Sequence, residues 1–471
     1  MWRAPSVSSS RCRSGLLLRL PERSILKFGP QEIRVADWPY KPGEMMSTEQ
    51  QHKAAEVYGI GRDLPLNYVE RKSVDEYFVS NLTRDKHVII YGSSKQGKTS
   101  LRKNCLSDND YIVIHCSNKW GIADLHAAIL KRAGFEVTQS STKTTSGKNK
   151  IVAAFRASML GIGVEAGGEK VDSKSNAVTT APLELDPEDV NDIIAALAAF
   201  KQYIVLEDFH YLPIDTQKDF AVALKAFHEQ SAICFIVVGV WLEEGRLTVY
   251  NGDLTGRIIG INADRWEPEE LREVISTGEA LLNIGFAQSF KDAVVAASLD
   301  SVYIVQEACY QACLARGINF TQKALLNDVG GDVDVQALIR DVVNQQTGRY
   351  NAFITLFASG FQETSLQMYK WLLYPILTAS DDQLGDGLSY RHMRDVLRIH
   401  HPEGQALNLG NLTQALQSTA SLQVKKDIKP IVLDYDQTKL RLNVVDKGFL
   451  IWLANQDSKN LLELADLPML A

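Results

Sequence analysis

Val88-Ile89-Ile90-Tyr91-Gly92-Ser93-Ser94-Lys95-Gln96-Gly97-Lys98-Thr99-Ser100 starts as an apolar run of strand length, turns through a polar loop and continues into residues of helical character. Gly92 to Thr99 match the pattern G-x-x-x-x-G-K-[ST] in full. The pattern has a physical reason. Glycines let the backbone curl until successive N–H groups point at phosphate oxygens, and the helix that follows adds its positive N-terminal end. Gly92, Ser93, Ser94, Lys95, Gln96, Gly97, Lys98, Thr99 and Ser100 are therefore the expected phosphate-binding residues. Lys98 is expected to reach the β- and γ-phosphates, and the Thr99 hydroxyl to ligate Mg²⁺, which implies ATP and Mg²⁺ as ligands.

Outward from this stretch the strand-and-helix alternation continues. Residues 111–116 repeat the strand signature, and 124–133 read as an amphipathic helix ended by Gly134. Residues 138–186 change to Ser, Thr, Gly and Lys, as in an insertion, with one short helix or strand expected around 151–160. A helix to Phe200, a buried strand at 203–206, a helix at 216–228 and strands at 234–238 and 258–261 follow. The pattern predicts an α/β fold with a parallel sheet. From Pro268 to about Asn344 only helices are expected, at 268–283, 288–298, 301–315, 320–327 and 333–345. Helices at 367–378, 390–398 and 411–419, then a ribbon of 431–435 and 440–444, make a winged-helix pattern. The expected divisions are an unstructured extension over 1–45, a core over 46–265 with an insertion at about 138–186, a helical lid over 266–350, and a winged-helix-like domain over 361–460.

A phosphate site of this kind needs a second acidic element on a neighbouring strand. Tyr203-Ile204-Val205-Leu206-Glu207-Asp208 supplies one, with two carboxylates at the end where open parallel sheets place their ligands. By position Glu207 is expected to face Mg²⁺ with Thr99, and Asp208 to polarise the attacking water. The aspartate is one methylene shorter than a glutamate, so slow hydrolysis is expected. Arg257 is the candidate arginine for γ-phosphate charge, in its own or a neighbouring subunit, with Arg246 second. His210 stands beside the acidic pair and could read the metal site or pack on Tyr211.

The phosphate loop, the strand and acidic pair at 203–208, the strand at 234–240, Arg257 and a helical lid together resemble AAA+ and STAND-type P-loop ATPases, the group that includes archaeal and bacterial Orc1/Cdc6-like ATPases. Leu206-Glu207-Asp208-Phe209-His210-Tyr211 is similar to the Walker B segment of that group, and the loop at 92–99 is its Walker A. The resemblance covers roughly residues 63–344, and a trailing winged helix is common in the family. It implies a P-loop NTPase fold and ATP hydrolysis, with Glu207, Asp208 and Arg257 in catalysis. Two departures are visible. The carboxylate order is Glu then Asp, and the segment Asp300 to Val305 lacks the Gly-x-Pro often found there. Separately, Gly239-Val240-Trp241 lacks the Asn or Thr that often senses the γ-phosphate at the end of that strand.

With 471 residues, 45% hydrophobic and 23% charged, the chain has the composition of a multidomain globular protein and not of a disordered chain, a collagen or a coiled-coil rod. Its apolar runs stop short of the roughly 18 residues that a spanning helix needs, so no membrane association is expected. Six cysteines without a C-x-x-C pair offer no disulfide framework or zinc ribbon, and a cytoplasmic setting fits. Residues 1–21 hold four arginines, a serine run and no acid before Pro21-Glu22, as in a transit peptide or an upstream-extended start. The formal charge of −7 excludes a globally basic nucleic-acid coat. From residue 361 onward 11 Lys plus Arg face 13 Asp plus Glu, and 409–419 contain neither Lys nor Arg. That balance favours self-association or a protein partner over DNA. The expected function is a Mg-ATP-driven conformational or assembly switch. The alternatives are a DNA-binding initiator or loader ATPase of Orc1/Cdc6 type, and a pseudo-ATPase scaffold.

Overall fold

The computed structural model describes residues 51–143, 149–155, 182–264, 266–362 and 364–469. The chain divides into a short unit, Met1–Met46, and a unit Ser47–Ala471 to which all described residues belong. The expected extension over 1–45 lies outside the described residues.

Five runs of apolar residues form the central sheet. They are β1 (His87–Tyr91), β2 (Tyr111–His115), β6 (Tyr203–Glu207), β7 (Phe235–Val238) and β8 (Ile258–Asn262), in the order β2-β6-β7-β1-β8. Every pairing is parallel, with Val88 opposite Ile236 and Ile89 opposite Gly260. The side-chain period of two explains the continuous burial of β1. Val88 and Ile90 enter the layer with Phe78, Leu101 and Ile261, while Ile89 and Tyr91 enter the opposite layer with Leu206, Phe220 and Phe235. All five C-terminal ends share one edge. The chain leaves β1 for the distant β2, and later crosses from β7 past β1 to β8, so the order switches around β1 and opens a crevice there.

Where described, the stretch expected as an insertion carries β3 (Phe135–Lys143), β4 (Asn149–Phe155) and β5 (Leu183–Leu185), paired antiparallel in the order β3-β4-β5. Phe135, Ile151, Ala153 and Leu185 join the same core as Ile89 and Phe235.

The lid helices include Pro268–Leu282, Gln288–Ala297, Val302–Ala315 and Val335–Asn344. The helix expected over 320–327 is absent. Thr321 N–H donates to His52 O, and β10 (Leu326–Val329) pairs with β9 (Ile284–Phe286), so backbone partners elsewhere draw this segment into extended form. The chain then makes a helix, Thr347–Ala358, and a domain in the winged-helix order. That domain comprises helix Met368–Leu377, β11 (Leu388–Ser389), helices Tyr390–His400, Leu409–Gln417 and Thr419–Lys425, and β12 (Leu433–Asp436) paired with β13 (Arg441–Val444). Lid and winged helix share one continuous core, in which Tyr350 and Phe353 meet Phe449. Among the described residues no helix is long and apolar enough to cross a membrane.

Candidate functional site

Gly92 leaves β1 with φ 148°, and a Cβ there would stand 2.9 Å from the Asp264 backbone nitrogen. Gly97 has φ 81° and caps the helix Lys98–Cys105. Both demand glycine, which is why the loop can turn back on the strand end. Inside the curl, the Lys98 ammonium donates to Gly92 O at 2.9 Å and to Ser93 O at 2.5 Å. Burial lowers its pKa to about 8, against the pull of Asp264, Glu207 and Asp208.

Each residue of the loop's first half is held from outside it. Ser93 N–H donates to Asp264 Oδ1 at 2.8 Å, and Ser94 N–H to Val445 O of the winged-helix domain at 2.8 Å. The Lys95 ammonium lies 3.8 Å from the centroid of Tyr303 in the lid. Gln96 donates to Asp300 O at 3.0 Å and accepts Val302 N–H at 3.3 Å. Asp264, Tyr303 and Val445 were not singled out in the sequence, because only the sheet order and domain docking bring them to the loop.

Glu207 ends β6 and Asp208 follows it at the same edge of the sheet, and both line the cavity with the loop. Glu207 is buried and accepts from Arg102 Nε at 3.0 Å; burial raises its pKa while Arg102 opposes the rise. Arg102 lies four residues beyond Lys98, one helical turn along, so its arrival at the site was legible from spacing. Asp208 has φ 59° and is half-buried; desolvation raises its pKa, opposed by His115, Lys98 and Lys429. His210 packs at a tilt on Tyr211 with ring centroids 4.0 Å apart, and its Nδ1 accepts Val240 N–H at 3.3 Å. It also lines the cavity, and burial holds it neutral.

The cavity, about 320 Å³, runs from the loop to the segment 59–69 and the lid. Val69, Val274, Val302 and Trp266 give it apolar walls, and a buried amide pair closes its far side. Asn67 and Gln306 exchange two hydrogen bonds of 2.9 Å. The oxygen donors at the other end are the exposed hydroxyl of Thr99 and the carboxylates of Glu207 and Asp208. Mg²⁺ takes one or two carboxylates together with phosphate and water, and this donor set fits it. Among the described residues there is no cluster of three or more His, Cys, Asp or Glu side chains for a metal held by protein alone.

Arg257 is not brought to this site within its own chain, which corrects the expectation of a same-subunit role. Its carbonyl accepts His87 N–H at the opposite end of β1, and its guanidinium pairs with Glu229 at 2.7 Å. A five-residue strand of about 17 Å separates the two edges. Arg246 is also committed elsewhere. It is buried between Glu243 at 3.4 Å and Asp434 of β12 at 2.6 Å, while Glu243 accepts the Thr438 hydroxyl at 2.7 Å. Beside these polar contacts Val240, Val424, Ile431 and Val445 form a small apolar cluster between the core and the winged helix.

No family model matches the chain, and no curated protein matches it. Among solved structures it is similar to a Walker-type ATPase of Pyrococcus abyssi, at 12% identity and TM-score 0.43 over 82% of this chain and 99% of that one. It is also similar to the Aeropyrum pernix ORC1 protein solved in complex with DNA, at 10% identity and TM-score 0.40 over 88% of this chain and 97% of that one. A third is the Thermotoga maritima RuvB Holliday junction branch migration motor, at 12% identity and TM-score 0.33 over 80% and 92%. Likenesses of this depth carry no functional argument; the fold stands on the sheet order and the loop described above.

Proposed function

We propose that the protein is an ATPase that binds Mg-ATP in this cavity and uses binding and hydrolysis to switch the docking of its winged-helix domain. The carrying observation is the Ser94 N–H, a donor of the phosphate loop bonded to Val445 O of that domain. The apolar walls and the amide pair suit a base, and the loop suits its phosphates. Lys98 would exchange two carbonyl partners for phosphate oxygens, and the N-terminus of the helix Lys98–Cys105 would add its dipole. Thr99 and Glu207 would hold Mg²⁺, which would neutralise charge on the β- and γ-oxygens. Asp208 would orient the water whose oxygen bonds to the γ-phosphorus as the bond to the bridging oxygen breaks. The departing ADP keeps the electron pair, and the water proton passes to the carboxylate. Self-association or a protein partner engaging the winged helix is part of the same reading, in which Arg257 would exchange its pairing with Glu229 for the phosphate of a neighbouring copy.

Single-turnover hydrolysis with the parent, Lys98→Ala and Asp208→Glu proteins tests the reading. Lys98→Ala should abolish binding, and Asp208→Glu should hydrolyse faster than the parent if side-chain length is limiting. A parent that fails to bind ATP would sink the proposal. The Arg102–Glu207 ion pair favours a second reading, a nucleotide-binding scaffold without turnover, because it engages the carboxylate assigned to the metal. ATP bound but intact after prolonged incubation would select that reading.

A further inference from the structure

Asp446, at the N-terminus of the helix Lys447–Ala454, stands among cations near the phosphate loop. Its carboxylate pairs with Arg349, which also donates to Gln346 Oε1 at 2.9 Å and lies over the Tyr350 ring. Lys95 of the loop is within electrostatic range of both Asp446 and Arg349. Tyr303, beneath the Lys95 ammonium, meets Gln346 Nε2 at 3.2 Å, so loop, lid and winged helix converge here. The Arg349 Nε–H is buried with no acceptor among the described residues. The neighbours of Asp446 in sequence also hold the loop. Val445 O takes the Ser94 N–H, and Lys447 pairs at 3.9 Å with Asp264, the acceptor of Ser93 N–H.

We infer that Asp446 is an internal competitor of the nucleotide's terminal phosphate for Arg349 and Lys95, so that a triphosphate, and not a diphosphate, releases Val445 from Ser94. The inference rests on the proposed reading of the cavity and names what regulates it. A carboxylate brings one charge, whereas a terminal phosphate brings close to two and three acceptor oxygens. The guanidinium fork fits either, and the Arg349 Nε–H is a donor that Asp446 leaves unused. A diphosphate cradled by the loop amides has no third group to offer these cations. Once Arg349 turns away, Asp446 would be left unpaired beside the phosphate, and like-charge repulsion would push the turn at 445–447 off the loop.

Asp446→Asn is the direct test, because it keeps a side-chain oxygen for the Phe449 N–H and removes the charge. Affinities for a slowly hydrolysed ATP analogue and for ADP would be measured by calorimetry with Mg²⁺ on the full chain. The variant should bind the triphosphate about tenfold more tightly, the size of one charge-assisted hydrogen bond, and ADP within about twofold of the parent. Arg349→Lys should weaken the triphosphate alone, with ADP binding as the check on folding. In the parent, hydrogen exchange over residues 441–454 should rise with the triphosphate and stay unchanged with ADP. Equal changes in both affinities, or equal exchange with both ligands, overturn the inference and leave the nucleotide reading intact. Failure of the parent to bind either nucleotide overturns both.

Discussion

Lys98 is an ammonium stripped of water and held by two carbonyls, in a protein whose proposed ligand is an anion. Its pKa near 8 has a definite consequence. The bound phosphate favours the charged lysine and raises that pKa, so the free and bound proteins bind different numbers of protons above pH 8. Nucleotide affinity should fall about twofold from pH 7 to 8 and then more steeply, approaching about tenfold per pH unit. A titration series at pH 7, 8 and 9 checks it, and a flat profile would contradict it. Most residues of the loop were legible because their spacing is the chemistry. For Arg257 only the same-subunit alternative fails, for a local reason: in sequence it adjoins β8, but it adjoins the end of β8 remote from the loop.

Elements were legible where one period dominated. β1 and β6 read as strands because four apolar residues in a row suit a strand buried on both faces. The helix Thr347–Ala358 was overlooked although Tyr350, Phe353, Ile354 and Phe357 recur at i, i+3, i+4 and i+7, because it lies across an expected domain boundary. The segment at 320–327 had helical composition but found its backbone partners in β9 and His52, which no local pattern could announce. Gly239, just past β7, gives an element-level prediction. A Cβ there would fall 1.6 Å from a ring carbon of the buried Trp241, so Gly239→Ala should destabilise the protein by at least about 2 kcal/mol in denaturant unfolding. The ion pair between Arg246 and β12 gives another. Arg246→Ala leaves Asp434 buried beside Glu243 and should cost about 3–5 kcal/mol, whereas Arg246→Met with Asp434→Leu and Glu243→Gln, which removes the arginine and both carboxylates paired with it, should recover most of it.

At the scale of the molecule, apolar packing from the lid, the sheet and the small cluster lines the cavity through Val274, Val238 and Val240, yet the winged helix touches the α/β core through that small cluster and a buried polar seam. Burial, with Glu243 and Asp436 nearby, raises Asp434 to about 6 against the pull of Arg246. A carboxyl whose pKa is raised by docking stabilises the docked arrangement fully below its ordinary pKa and progressively less as pH rises through 6. Docking should therefore tighten between pH 7 and 5, read as slower hydrogen exchange over β12 and β13, and Asp434→Asn should flatten that dependence. If assembly is part of the switch, size measured by light scattering should change on adding ATP, and Arg257→Ala should reduce turnover only under conditions where the protein assembles.

The core shared by Tyr350, Phe353 and Phe449 couples two events that would otherwise be independent. Lid and winged helix cannot part without exposing those rings, so they travel together as one lever. The same lever carries Val274 and Gln306 at the base end of the cavity and Val445 at its phosphate end. Under the proposed reading, swinging it off the loop would also loosen the roof over the base, so that release by a triphosphate and redocking on the diphosphate would open and close both ends of the cavity in one stroke.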